Sequence, residues 1–176
     1  IDVMGDGDCS AIGGNHFIHA CRRNIDITAI VMNNNIYGMT GGQMSPTTPI
    51  GAIAKTAPYG VTDPSFDICK LAEAAGATHV ERWTTSRPVQ CVAAIKRALS
   101  HKGFSLIEIV SQCPTHFGRY ALGSGDPQKL VQWIKDYTYT EAEGAKMTPE
   151  EREGKLLCAQ FVNTERPVYE GTNEVL

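Results

Sequence analysis

Two groups of oxygen-bearing side chains in this sequence could bind a metal ion. Asp6 lies between two glycines directly after the apolar run 1–4, and the asparagines 33–35 follow the apolar run 27–32. Carboxylate and amide oxygens are ligands that Mg²⁺ takes, usually together with phosphate oxygens and water. Glycines beside the carboxylate let the backbone approach a phosphate closely. The residue types therefore predict a magnesium-diphosphate site with Asp6 and Asn34 as metal ligands.

The elements around these two groups must bring them together. The runs 1–4 and 27–32 are typical of buried strands, and residues 9–23 between them are predicted to form a helix. Strand, crossover helix and strand form a right-handed βαβ unit, so both strands end at the same edge of a parallel sheet. Open α/β sheets bind ligands at this edge, and the helix directs its N-terminal amides toward an anion. For the glycine motif alone, an ordinary strand-to-helix turn with Asp8 as N-cap remains the alternative.

The sequence around these residues resembles a known cofactor-binding motif. Gly-Asp-Gly, then residues 8–33, then paired asparagines is similar to the thiamine diphosphate signature of thiamine-dependent enzymes. Segments 5–8, 12–16 and 33–47 together resemble the β subunit of the 2-oxoacid:ferredoxin oxidoreductases, most of all the 2-oxoglutarate:ferredoxin type. The resemblance covers residues 1–120 and is looser in the tail.

This resemblance implies a set of site residues. Mg²⁺ would be bound by the side chains of Asp6 and Asn34 and by the backbone oxygen of Ile36. The expected cofactor-binding residues all come from the two segments that hold these ligands: Gly5, Asp6, Gly7, Asp8, Asn34, Ile36, Tyr37, Gly38, Thr40 and Gly41. His16 is the candidate catalytic residue, because it lies a few residues into the helix after the glycine turn and could reach a substrate carboxylate or a reaction intermediate.

A long polar segment, residues 37–49, follows the asparagine run. It contains two adjacent glycines, two prolines and three threonines. Loops of this length within compact domains are usually functional. We expect the segment to close over the diphosphate, and we expect residues 45–48 to extend toward a partner subunit.

Six cysteines are scattered along the chain with no pair at metal-binding spacing: Cys9, Cys21, Cys69, Cys91, Cys113 and Cys158. Such a pattern favours reduced, mostly buried thiols. Cys113 differs, because it lies in a loop after the apolar strand predicted at 104–110. A lone loop cysteine is more often structural, whereas the resemblance implies that it is the fourth thiolate of a [4Fe–4S] cluster, which four cysteines normally hold. The other three ligands would lie outside this chain.

The implied activity is the oxidative decarboxylation of a 2-oxo acid, with 2-oxoglutarate as first choice, to an acyl-CoA with electrons passed to ferredoxin. Thiamine diphosphate carries the difficult chemistry, and this chain would anchor it together with Mg²⁺. An α subunit would supply the pyrimidine half of the site, including an activating glutamate for which this sequence has no candidate. A non-redox thiamine diphosphate-dependent decarboxylase or synthase, and a subunit-interaction module with a vestigial site, remain the alternatives.

Strands and helices alternate along the chain, which predicts an α/β fold with a doubly wound parallel sheet. By resemblance this is the thiamine diphosphate-binding fold, followed by a C-terminal helical and extended tail. We expect residues 1–120 to form the binding domain without its N-terminal part, and residues 121–176 to form the extension. Further predicted elements are strands at 78–83 and 104–110, helices at 65–75, 88–101, after 126–127 and at 148–161, and an arm at 163–176.

Composition limits the class of protein. The chain has 176 residues, of which 42% are hydrophobic and 20% charged, which is typical of a globular domain with one core. Its net charge of -3 argues against a nucleic-acid-binding surface. No apolar run approaches the roughly 20 residues that cross a bilayer. We therefore expect a cytoplasmic protein that binds neither nucleic acid nor membrane.

Overall fold

The structure, a computed structural model, describes residues 1–169. The strands within these residues are β1 (Asp2–Gly5), β2 (Thr28–Asn33), β3 (His79–Thr84), β4 (Ser105–Val110), β5 (Thr138–Thr140), β6 (Leu156–Cys158) and β7 (Gln160–Asn163). Five of them form the main sheet in the order β1-β2-β4-β3-β7, and β5 and β6 form a small parallel sheet. In the main sheet β1 to β4 are parallel, and β7 runs antiparallel to β3.

The helices connect these strands. They are α1 (Gly14–Arg23), α2 (Ile68–Ala74), α3 (Pro88–Ser100), α4 (Phe117–Ala121), α5 (Pro127–Tyr137), α6 (Glu141–Gly144) and α7 (Pro149–Arg152). A π-helical turn at Asp8–Ile12 precedes α1, so the helix predicted at 9–23 consists of two pieces. The other strands and helices predicted between residues 65 and 110 are confirmed within three residues at each end.

Helices cover both faces of the main sheet, which confirms the doubly wound α/β fold. On one face, α1 and α2 pack against alternate strand residues such as Val31 and Leu106. On the opposite face, α3 packs against Ile107 and Ile109. This division follows from the geometry of a strand, whose successive side chains point to opposite faces.

Helix α3 buries its small side chains more completely than its larger apolar ones. Val92, Ile95 and Leu99 form the longest apolar stripe of this helix, yet Val92 is 53% exposed and Leu99 is 48% exposed. The fully packed positions of the helix carry small side chains: Cys91, Ala94 and Ala98. Small residues let the helix backbone lie close to the sheet, and a hydroxyl of β2 reaches it, since Thr28 Oγ1 donates to the carbonyl of Ala98 at 3.3 Å.

The prediction of a helix from residue 148 to residue 161 is wrong. Thr148 does form the capping box that its sequence indicates, but α7 ends at Arg152. Gly154 has a φ of 72°, a left-handed conformation that ends the helix and turns the chain toward β6. The tail therefore contributes three strands, β5 to β7, as well as helices, and β7 completes the edge of the main sheet beside β3.

The beginning of the expected C-terminal arm packs against this same chain. The exposed guanidinium of Arg166 donates to the carbonyls of Cys21 at 2.9 Å and Gly76 at 2.9 Å, at the ends of α1 and α2. Asn24, the left-handed residue that ends α1, donates its amide to the carbonyls of Arg166 and Pro167. The remainder of the expected arm, residues 170–176, lies outside the described residues.

None of the helices within residues 1–169 combines the length and the apolar character needed to span a bilayer.

Candidate active site at the carboxyl edge of the sheet

A pocket of about 380 Å³ opens where β1 and β2 end. Its lining contains every expected cofactor-binding residue except Gly41, together with Met39: Gly5, Asp6, Gly7, Asp8, Asn34, Ile36, Tyr37, Gly38, Met39 and Thr40. Two chain segments form it, and both follow neighbouring parallel strands in register, since Gly5 of β1 pairs with Met32 of β2. The volume lies within the range typical of small-molecule sites, roughly 300–1,000 Å³.

Asp6 is one of the two acidic residues that line this pocket and is 1% exposed. Its Oδ1 accepts the backbone N–H of Asn34 at 3.3 Å, so the two predicted metal ligands are in contact. Its Oδ2 accepts the hydroxyls of Ser45 and Thr47, each at 2.5 Å. Burial raises the pKa of the Asp6 carboxyl above its ordinary value, while the two hydroxyl donors and the Asn34 amide act in the opposite direction.

The three asparagines after β2 have different environments. Asn33 is buried in the sheet interior, where its amide donates to Glu108 at 2.7 Å. Asn34 lines the pocket, and its side-chain oxygen accepts the backbone N–H of Ile36 at 3.2 Å. Asn35 has a left-handed φ of 59° and is buried, and its amide group has no hydrogen-bond partner within residues 1–169.

The loop 37–49 folds back over the end of β1. Residues 45–48 were expected to extend toward a partner subunit, and the structure corrects this, because Ser45, Thr47 and Thr48 are buried against this chain. Thr48 donates its hydroxyl to the carbonyl of Asn35 at 2.7 Å. Ser45 and Thr47 are thus site residues that the sequence reasoning missed. The available signal was a group of hydroxyl side chains near the end of this loop.

Tyr37 forms one wall of the pocket, and the position of its ring explains why residue 7 is glycine. Its hydroxyl donates to the carbonyl of Gly7 at 3.2 Å. A Cβ at residue 7 would stand 2.2 Å from the Tyr37 ring, so only glycine permits this contact. Gly41 lies just beyond the lining residue Thr40 and has a φ of 112°, which favours glycine there.

The side chains of Asp8 and His16 have surroundings that their places in the sequence do not predict. The Asp8 side chain accepts the N–H of Gly5 at 3.2 Å rather than capping the following helix. His16 is exposed on α1 and does not line the pocket of Asp6. It lines a second cavity between β1 and α1, which shares Asp8 with the first. The structure therefore does not bring His16 together with the other predicted site residues.

Cys113 lies beside the pocket after β4. Its Sγ stands 3.9 Å from the position that a Cβ of Gly38 would occupy, and the Asn34 amide nitrogen lies 4.0 Å from that same position. All six cysteines are free, as expected, and Cys113 alone is half-buried while the other five are buried. Of the six thiols, only that of Cys113 is therefore both near the pocket and partly accessible.

A second acidic group lies deeper in the protein but is not a metal-site candidate. Asp67, Cys69 and Glu108 come close to one another on the α2 face of the sheet. Arg82 lies among them, donating to Glu108 at 2.7 Å and forming an ion pair with Asp67. Arg82 therefore supplies the positive charge that a metal ion would otherwise bring, and the group is a buried ion-pair network.

Comparisons with known proteins identify the family of this chain. The family model described as thiamine pyrophosphate enzyme, C-terminal TPP binding domain, matches residues 1–109. A 2-oxoglutarate synthase subunit KorB from Methanocaldococcus jannaschii is 53% identical over 165 residues, which is 94% of this chain and 61% of the relative. The corresponding subunit from Methanothermobacter marburgensis is 50% identical over 93% of this chain and 57% of its own length.

A solved structure is similar as well. It is a 2-oxoglutarate:ferredoxin oxidoreductase from Magnetococcus marinus with 2-oxoglutarate, coenzyme A and succinyl-CoA bound, at a TM-score of 0.78 and 31% identity. The match covers 96% of this chain and 58% of that chain. This chain thus spans about three fifths of the length of each of these relatives. The resemblance to the 2-oxoglutarate:ferredoxin type is confirmed, and this chain belongs to the thiamine pyrophosphate enzymes through their C-terminal TPP-binding domain.

Proposed function

We propose that this chain anchors Mg²⁺ and thiamine diphosphate in a 2-oxoacid:ferredoxin oxidoreductase. The observation that carries the proposal is the contact between Asp6 and Asn34 in a pocket lined by the expected residues. The enzyme would convert a 2-oxo acid and coenzyme A to acyl-CoA, CO₂ and one proton, with two electrons passing singly to ferredoxin. The names of the relatives support 2-oxoglutarate as the first choice of acid.

The residues present fit a magnesium-diphosphate group. Asp6 offers a buried carboxylate oxygen, and Asn34 and Ile36 offer carbonyl oxygens within the same pocket. These are oxygen ligands of the type that Mg²⁺ prefers when it also binds substrate phosphates. The buried and unpartnered amide of Asn35 next to this site further supports a pocket that is completed by groups from outside the described residues.

The residues of this chain bind and orient rather than react. When bound, thiamine diphosphate supplies the carbon nucleophile and accepts the electron pair that decarboxylation releases. Asp6 and Asn34 would hold the metal, and the loop 37–49 would limit the access of water to the diphosphate. The carboxylates that line the pocket, Asp6 and Asp8, both accept hydrogen bonds from this chain. By resemblance, the carboxylate that activates the cofactor would come from an α subunit.

Cys113 would connect the cofactor to the path of the electrons. We propose that its thiolate is the fourth ligand of a [4Fe–4S] cluster whose other three ligands lie outside this chain. Its partial exposure beside Gly38 supports this role. A non-redox decarboxylase would share Asp6 and Asn34 but would have no use for a thiol at this position. A subunit-interaction module with a vestigial site would not need a pocket of this size.

The proposal is tested with the complete enzyme complex under anaerobic conditions. The assay measures CoA-dependent reduction of a low-potential dye with 2-oxoglutarate, pyruvate and a branched-chain 2-oxo acid. We expect activity that is highest with 2-oxoglutarate, and we expect Asp6→Ala to abolish both this activity and Mg²⁺-dependent binding of thiamine diphosphate. Asp26→Asn is the matched control, because Asp26 lies away from the pocket and is partly exposed beside Lys102.

Three results would contradict the proposal in different ways. Turnover that needs neither coenzyme A nor an electron acceptor would favour the non-redox alternative. Weak cofactor binding that Asp6→Ala leaves unchanged would favour the vestigial-site alternative. Activity with pyruvate but not with 2-oxoglutarate would leave the reaction class in place and exclude the first-choice substrate.

A further inference from the structure

The two oxygens of the Asp6 carboxylate have unequal surroundings. Oδ2 accepts two hydroxyl hydrogen bonds, from Ser45 and Thr47, both at 2.5 Å. Among the described residues, Oδ1 accepts a single and longer bond, from the Asn34 N–H at 3.3 Å. Short O–H···O⁻ bonds of this kind are the stronger, charge-assisted class. Oδ2 is therefore saturated, whereas Oδ1 keeps a free lone pair.

We infer that Ser45 and Thr47 are positioning residues that commit Oδ1 of Asp6 to the metal ion. This inference rests on the proposed function, because it concerns the Mg²⁺ that would hold thiamine diphosphate. The terminal torsion of an aspartate is broad, so a carboxylate without such donors can rotate and direct its oxygens away from the pocket. Two hydroxyls on the same oxygen hold this torsion. The pocket then presents one oxygen in one orientation.

The positions of the two donors are themselves determined by the sheet. The hydroxyl of Ser45 lies 3.0 Å from that of Thr47, and its backbone N–H donates to the Thr48 hydroxyl at 2.8 Å. The Thr47 hydroxyl also lies 3.1 Å from Oδ1 of Asn33, the last residue of β2. The amide of Asn33 is anchored on Glu108 of β4 at 2.7 Å. A chain of buried polar contacts thus extends from Asp6 into the middle of the main sheet.

This arrangement predicts how the loss of either hydroxyl would change the affinity for Mg²⁺. Groups that orient a metal ligand typically change metal affinity by about 10- to 100-fold when they are removed. Removing a donor would not remove a contact to the diphosphate, since Ser45 and Thr47 are not among the residues that line the pocket of Asp6. The defect should therefore concern the metal ion first, and thiamine diphosphate only through it.

The test measures thiamine diphosphate binding to the cofactor-depleted complete complex at increasing concentrations of Mg²⁺. We expect Ser45→Ala and Thr47→Val each to raise the Mg²⁺ concentration needed for half-maximal binding by about tenfold or more. At saturating Mg²⁺ the affinity for thiamine diphosphate should return to the wild-type value. Thr47→Ser keeps the hydroxyl and should restore the wild-type dependence on Mg²⁺.

Thr138→Val is the matched control. Thr138 is also buried and also donates its hydroxyl, to the carbonyl of Ile134 at 2.7 Å, but it lies in the small second sheet. Its loss should leave the dependence on Mg²⁺ unchanged. The control therefore separates the effect of deleting any buried hydroxyl from the effect of deleting one that contacts Asp6.

The outcomes distinguish the inference from the proposed function. Wild-type complex that binds no thiamine diphosphate at any Mg²⁺ concentration would overturn the proposed function and this inference together. Wild-type binding with an unchanged Mg²⁺ dependence in Ser45→Ala and Thr47→Val would overturn the inference alone. Binding that is lost at every Mg²⁺ concentration, in Thr47→Ser as well, would assign the two hydroxyls to packing and would also overturn it.

Discussion

The surroundings of Asp6 and of Cys113 support the proposed roles of these two residues to different degrees. Asp6 is buried, and burying a carboxylate is costly unless hydrogen bonds or ions compensate it. Its three hydrogen bonds and its place at the end of β1 support its proposed role as a ligand of Mg²⁺. Cys113 has no comparable network among the described residues, and its proposed role depends on ligands from outside this chain.

Replacing Cys113 tests its proposed role as a cluster ligand. Cys113→Ala should lower the iron and labile sulfide of the complete complex by about one four-iron cluster, with loss of the corresponding electron paramagnetic resonance signal after reduction. Thiamine diphosphate binding should persist, because the Cys113 side chain does not line the pocket of Asp6. Cys91→Ala is the control, since Cys91 is buried at α3. Equal iron content in wild type and Cys113→Ala would contradict the cluster proposal.

At the scale of elements, ion pairs connect the helices to the sheet. Glu81 of β3 is fully buried and accepts the guanidinium of the partly exposed Arg97 of α3 at 2.8 and 2.7 Å. The Trp83 indole donates to the same carboxylate at 2.8 Å. Burial alone would raise the pKa of Glu81, but the donors outweigh it and lower the pKa to about 2.

This lowered pKa predicts a pH dependence of stability. An unfolded glutamate has a pKa of about 4.3, so between pH 5 and pH 2 the unfolded chain binds more protons at residue 81 than the folded chain. The contribution of Glu81 is therefore fully present above about pH 5 and is lost as the pH falls toward 2. In urea unfolding, the difference in unfolding free energy between wild type and Glu81→Gln should be constant from pH 6 to about pH 5 and should narrow from there to pH 3.

The exposed Glu73 of α2 provides the control, because Glu73→Gln removes a carboxylate from the protein surface. A difference between wild type and Glu81→Gln that stays constant down to pH 3 would show that the Arg97 pair does not contribute to acid sensitivity.

For the whole molecule, the C-terminal segment connects helices that are distant in sequence. Arg166 donates to carbonyls at the ends of α1 and α2, where helix carbonyls lack partners and carry partial negative charge. Because α1 follows directly on the turn that carries Asp6, the tail indirectly supports the frame of the candidate site. The described part of the tail is thus part of the fold rather than an appendage.

Replacing this arginine should loosen that connection. Arg166→Ala should lower the free energy of unfolding by about 1–2 kcal/mol, because it leaves several helix-end carbonyls without their donor. Amide hydrogen exchange should accelerate in the last turn of α1. Lys129→Ala removes an exposed cation from α5 and should change neither quantity. Unchanged exchange in α1 would mean that water replaces the guanidinium without cost.

The sequence by itself determined the central unit of this protein. Apolar runs and their spacing predicted β1, α1 and β2, and the right-handed connection of parallel strands required Asp6 and Asn34 to meet at one edge. This inference succeeds because it depends on local periodicity and on a topological rule, both of which can be read from adjacent residues.

Tertiary structure alone decided three other features. Ser45 and Thr47 contact Asp6 across about forty positions of sequence, and no local pattern specifies how a polar loop folds back. The small residues of α3 were buried instead of its larger ones, because close packing against the sheet outweighs hydrophobicity at each position. The segment that forms β7 became a strand because the free edge of β3 was available to pair with it.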